Sequence, residues 1–118
     1  MTLEEFRDEM NAYWQSAAKE AESLKDPYIT LERVRALYGK FDADERRLAD
    51  QVIAEWTVGG ADGRRWDALA LIDELKIVSA APALRELASR LVRGTEPAAA
   101  HWAERATRIA DDLVRRTS

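Results

Sequence analysis

The sequence predicts an all-α fold of about six antiparallel helices, and three observations lead there. Ala, Leu, Glu and Arg are abundant, while 118 residues hold only three prolines and five glycines, a composition that favours helix along nearly the whole chain. No segment alternates apolar and polar residues as a half-buried strand would. In residues 64–93, RRWDALALIDELKIVSAAPALRELASRLVR, apolar positions recur with a helical period on both sides of a proline-marked turn. Two antiparallel helices with a short connection are therefore expected there, as the element that organises the rest.

Within that stretch, Trp66, Ala68, Leu69, Ala70, Leu71, Ile72 and Leu75 leave the upstream helix apolar nearly all round, as for a helix covered on several sides. The downstream helix has a narrower stripe, Leu84, Leu87, Ala88, Leu91 and Val92, opposite Arg85, Glu86, Ser89, Arg90 and Arg93. Ser79 or Ala80 is its expected cap, and Pro82 falls in the first turn, where a missing N–H costs nothing. Gly94 ends it.

The other elements follow from local signals. Helix one is expected over residues 2–25, with Thr2 and Glu5 at capping-box spacing. Leu3, Phe6, Met10, Tyr13, Ala17, Ala21 and Leu24 make its apolar face, Trp14 lies at the edge, and Asp26-Pro27 stops it. Helix two has Thr30 as cap, Leu31, Val34, Leu37 and Tyr38 inward, and Gly39 at its end. Phe41 precedes an Asp42 cap with Glu45 three residues on, again a capping box. Leu48, Val52, Ile53 and Trp56 then face inward from helix three, which Gly59-Gly60 terminates. Asp62 caps helix four. Thr95-Glu96-Pro97 opens helix six, whose stripe is Ala99, Trp102, Ala103, Ala106, Ile109, Ala110, Leu113 and Val114, with Arg115-Arg116 at its negative end. Short loops make successive helices antiparallel neighbours, and residues 1–118 read as one domain.

Charge narrows the function classes. The formal net charge is −4, and residues 1–26 carry seven acids against three bases, whereas residues 61–118 carry nine against ten. No basic footprint for nucleic acid is present, so none is expected as partner. The chain has no cysteine, which excludes disulfides and thiolate metal sites. With neither a secretory signal nor a membrane span to be read in it, a cytoplasmic location is expected.

The stretch 64–93 resembles a HEAT-type repeat. The basic pair Arg64-Arg65, the Ala/Leu-rich run Ala68 to Leu75, then Ile77-Val78 and Ala81-Pro82-Ala83-Leu84 follow the order of that family's first helix, turn and second helix, and residues 42–60 match it loosely. The resemblance implies a short HEAT-like α-solenoid. The small, acidic, all-helical layout is also similar to bacterial immunity proteins of polymorphic toxin systems, which implies binding and occluding a cognate toxin.

No catalytic constellation stands out. His101 is the only histidine, so a conventional transition-metal site is not expected. Asp42-Ala43-Asp44-Glu45 lacks the spacing of a calcium loop, and Gly59-Gly60-Ala61-Asp62-Gly63 lacks the lysine and Ser/Thr of a phosphate loop. Asp73-Glu74 and Asp111-Asp112 are adjacent pairs, about 100° apart on a helix, and do not converge on one reacting atom. Asp73 itself is either a buried acid or paired with an arginine such as Arg90. No enzyme activity, metal or cofactor is expected. The expected partner is a protein with a basic surface, contacted through Asp42, Asp44, Glu45, Asp62, Trp66 and Asp67, by a chain that is monomeric when free. The alternatives are a HEAT-like nucleic-acid-processing enzyme such as a DNA glycosylase, using Arg64, Trp66, Asp67 and Asp73, and a scaffold or homo-oligomer subunit.

Overall fold

The structure, a computed structural model, describes residues 2–59 and 63–117. Among these residues it contains six α-helices, one 3₁₀ turn and no strand. They fall into two compact units, one ending at Val52 and one beginning at Ile53, with the division inside the third helix. No helix among the described residues is long and apolar enough to cross a membrane.

The first unit comprises α1 (Leu3–Leu24), α2 (Ile29–Gly39) and the first part of α3 (Ala43–Gly59). Helix α1 starts as expected: the Thr2 hydroxyl accepts the Glu5 N–H at 3.1 Å and donates to the Glu5 carboxylate at 3.1 Å. Its buried stripe is Phe6, Met10, Trp14 and Ala17. Trp14, expected at the edge, is therefore core, while Tyr13 lies at the surface and donates its hydroxyl proton to the Arg33 carbonyl at 3.3 Å. Leu24, expected on the apolar face, is 62% exposed.

Termination of α1 comes one residue before the expected Asp26-Pro27 signal takes effect. Lys25 adopts φ 54°, and the Asp26 N–H reaches back to the Ala21 carbonyl at 3.0 Å, which satisfies an orphan carbonyl of the last turn. The Asp26 Oδ1 then accepts the Tyr28 N–H at 3.0 Å and aims the chain into α2. Helix α2 accordingly begins with Tyr28 as its N-cap, and Thr30, the expected cap, is buried inside it. Helix α3 starts with a complete capping box: Glu45 N–H to Asp42 Oδ1 at 2.8 Å, and Asp42 N–H to Glu45 Oε1 at 3.0 Å.

The second unit holds the end of α3, α4 (Arg64–Leu75), a 3₁₀ turn (Val78–Ala80), α5 (Ala81–Arg93) and α6 (Ala99–Thr117). The expected Asp62 cap lies outside the described residues. Gly63 occupies the N-cap of α4 at φ 106°, a conformation that glycine alone adopts without strain. Helix α4 ends as α1 does, on a left-handed lysine, Lys76 at φ 56°, with the Ile77 N–H bonded to the Ile72 carbonyl at 3.1 Å. Ala80 caps α5, and Pro82 lies in its first turn.

The nearest helix neighbours in this unit are α5 and α6, and α4 runs closer to α6 than to α5. The reason is visible in side-chain size: α6 buries Ala103, Ala106 and Ala110 along with Ile109 and Leu113, and small residues let its axis come close to the Leu84, Leu87 and Leu91 stripe of α5. Val92 and Val114, both expected inward, are 76% and 44% exposed.

The link into α6 is a turn with positive φ at its third residue. The Ala99 N–H bonds the Glu96 carbonyl at 3.1 Å across Pro97 and Ala98, and Ala98 has φ 60°. Pro at the second position and a left-handed third position are the signature of a type II turn, where glycine is the unstrained choice. Replacing Ala98→Gly should therefore raise stability by about 0.5–1 kcal/mol, read as a higher urea midpoint at unchanged slope, since an L-residue loses about 1–2 kcal/mol in this region and glycine's greater unfolded-state freedom offsets part of that gain.

Candidate functional site

The expected contact residues divide between the two units. Asp42, Asp44 and Glu45 belong to the first and Trp66 and Asp67 to the second, while Asp62 lies outside the described residues. Asp42 and Glu45 use carboxylate oxygens on each other's backbone N–H groups in the capping box. Asp44 is the most exposed acid of the group: its side chain is 90% exposed and pairs with Arg47 at 3.6 Å on the next turn. Asp67 does not belong to an exposed set. It is 2% exposed in the first turn of α4, where the positive end of the helix favours a carboxylate. Asp73 corrects the buried reading, being exposed and paired with Lys76 at 3.5 Å; the arginine it acts on is Arg105, while Arg90 pairs with Glu86 at 3.7 Å. His101 is exposed, as expected of a surface histidine. No group of three or more His, Cys, Asp or Glu side chains able to hold a metal ion occurs among the described residues.

Trp66 is where the second unit opens. The indole is 36% exposed and lies at one side of a cleft of about 490 Å³ that also involves Val58, Gly63, Glu96, Pro97 and Trp102. Arg105, one turn beyond Trp102 on α6, sits over the Trp66 ring at 5.8 Å. Burial holds the Arg105 guanidinium below the usual arginine range, the neighbouring Arg108 adds to this, and Asp73 opposes it.

The cleft wall is built on Arg65, a residue whose place the sequence does not disclose. The residue is 7% exposed. Nε donates to the Thr57 carbonyl at 2.7 Å, Nη2 donates to the Val58 carbonyl at 3.2 Å, and Nη1 is paired with the Glu96 carboxylate. The Trp102 ring lies 5.9 Å from the guanidinium carbon. Thr57 and Val58 lie in the last turn of α3, so the guanidinium satisfies carbonyls that a helix end leaves unpaired. The exposed parts of the cleft lining include the Trp66 indole, Pro97 and the Glu96 side chain, whose carboxylate is paired with the buried Arg65 guanidinium. Such a cleft offers apolar and aromatic contact beside the Arg65–Glu96 ion pair. Of Arg65, Glu96, Trp102 and Arg105, only the aromatic composition gave a sequence signal, because the Arg65–Glu96 pair spans 31 residues.

In the first unit, the Tyr38 hydroxyl donates to Asp50 at 2.8 Å, with Arg46 5.5 Å from the ring centroid. Burial, reinforced by the Asp50 hydrogen bond, pushes the Tyr38 phenol up to about 12. Burial also raises Asp50, against the opposing effects of Tyr38 and Arg46.

Two predictions follow from these contacts. Arg65→Lys keeps a charge but loses the fork that reaches three acceptors, and should cost about 1–2 kcal/mol in urea denaturation; Arg65→Ala should cost about 3, since it leaves helix-end carbonyls and Glu96 unmatched. Tyr38 holds its proton more tightly in the folded protein than in the unfolded chain. The stability linked to it is therefore complete below the ordinary phenol value of 10.0 and is lost as pH rises toward about 12. Phenolate absorbance should show one late-titrating tyrosine that disappears in Tyr38→Phe.

Comparison of the chain with protein-family models, with curated proteins and with solved structures finds no match.

Proposed function

We propose that this chain is a protein-binding module that uses the Trp66 cleft as its anchor. In its most concrete form it is an immunity protein that occludes a cognate bacterial toxin, as its sequence resemblance to HEAT-like repeats and to small immunity proteins implies. The observation that carries the binding reading is Trp66 itself: a partly exposed indole, held in place by Arg105 at 5.8 Å and opening onto a cleft of about 490 Å³ with a second indole and a proline. A tryptophan ordered before binding loses little freedom on association, and tryptophan is among the residues that dominate interface energetics.

Charge supports a basic partner. The residues up to Val52 carry twelve acids and eight bases, while those from Ile53 on carry ten of each, so the whole net charge of −4 resides in the first unit. Asp44, with its side chain 90% exposed, is the member of the expected acidic set best placed to act through its field.

The test is capture of the tagged protein's partner from its source organism, with Trp66→Ala as comparison. One stoichiometric partner is expected, and Trp66→Ala should weaken its binding by about 2 kcal/mol, roughly thirtyfold, with the protein still folded. A partner that arrests growth when expressed alone and is relieved by this chain supports the immunity form. Retention unchanged by Trp66→Ala removes the anchor. Asp44→Lys should slow association and reduce its salt dependence while leaving dissociation nearly unchanged.

A further inference from the structure

The first unit carries a second, smaller recess that no sequence signal marked. It has a volume of about 150 Å³, and its floor is Phe6, Met10, Leu37 and Phe41, with the Phe6 and Phe41 rings 5.1 Å apart. Tyr13 forms one wall, 37% exposed, its ring fixed by the hydroxyl bond to the Arg33 carbonyl. Glu9 and Glu45 complete the lining, and no lysine or arginine contributes to it. Glu45 is held by its capping-box bond to the Asp42 N–H. Glu4, Glu5 and Asp8 are exposed on the same first turns of α1 that bring Glu9 to the recess.

We propose that this recess receives one leucine-, methionine- or phenylalanine-sized side chain from a protein partner, flanked in that partner by lysine or arginine. The inference rests on the protein-binding reading above and names the chemistry of a second contact. Size selects a side chain: small-molecule sites run to about 300–1,000 Å³, and this recess is well below that range. Charge selects the flanks, because two carboxylates at the mouth of an apolar recess lose hydration when it is covered and need cations in return. Charge also argues against the same face of a second copy, since each first unit has a net charge of −4.

The probe is a short synthetic peptide with a single leucine between lysine and arginine residues, titrated into the full chain carrying ¹³C-methyl methionine. The Met10 methyl resonance should shift on binding. Affinity should fall about tenfold or more in the double variant Glu9→Gln with Glu45→Gln, in which glutamine preserves the cap. The same loss is expected for wild type with the peptide whose leucine is replaced by serine. Trp66→Ala should leave peptide binding unchanged. Absence of binding overturns the proposal, as does equal affinity for the serine peptide, which would leave charge attraction alone. A Met10 shift that tracks protein concentration without peptide would assign the recess to a second copy and overturn it too. Loss of peptide binding with Trp66-dependent capture intact removes the recess only; peptide binding with capture indifferent to Trp66 removes the anchor only.

Discussion

The second unit depends on one buried guanidinium. Arg65 is 7% exposed, and a cation taken out of water is tolerated only when its donors are matched. The matching groups come from separated parts of the chain: the Thr57 and Val58 carbonyls at the end of α3, and the Glu96 carboxylate before α6. The helix-end carbonyls would be costly to bury unpaired. The helix-end carbonyls carry partial negative charge, and the carboxylate carries a full one, so a planar fork with donors in several directions answers both kinds of acceptor at once. An ammonium group lacks that geometry. The Pro97–Ala98 turn acquires its purpose from the same contact, since its left-handed alanine is tolerated in the stretch that delivers Glu96 to the fork.

Much of the fold was legible because its signals are local. The Thr2–Glu5 and Asp42–Glu45 spacings are closed within one helical turn, and three-residue periodicity of the α5 and α6 stripes needs no knowledge of the partner helix. What resisted reading has non-local or conformational causes. Lys25 and Lys76 end helices in the left-handed region although lysine carries no preference for it; there the backbone bonds to Ala21 and Ile72, not the side chain, define the cap. Tyr13 and Trp14 exchanged expected roles because adjacent residues differ by about 100° around a helix, and a periodicity with both in its window does not choose between them. The preference of α6 over α4 for close approach to α5 follows from alanines on a helix that the sequence places later.

The candidate site was legible in type more than in membership. Trp66 and Asp67 are neighbours in sequence and opposite in fate, one 36% exposed and the other 2%. Asp42 and Glu45 fit both an acidic surface and a helix cap, and their oxygens are engaged in the cap. Within that set Asp42 and Glu45 each commit one carboxylate oxygen to the cap, Glu45 also lines the recess of the first unit, and Asp44 is the most exposed, on its side chain.

The segregation of charge from aromatic surface has a kinetic consequence for the binding reading. The net charge of −4 belongs to the first unit, whereas the Trp66 cleft belongs to a unit with equal numbers of acids and bases and has an arginine stacked on its exposed indole. Long-range attraction raises the encounter rate and is screened by salt, whereas desolvated contact at an aromatic anchor sets how slowly a complex comes apart. A single acidic aromatic patch would entangle the two, since each substitution would change both field and contact. At Asp44 and Trp66 they are carried by different residues, unlike at the Glu9–Glu45 recess, so in the binding reading salt should act on association through Asp44 while the Trp66 indole governs dissociation.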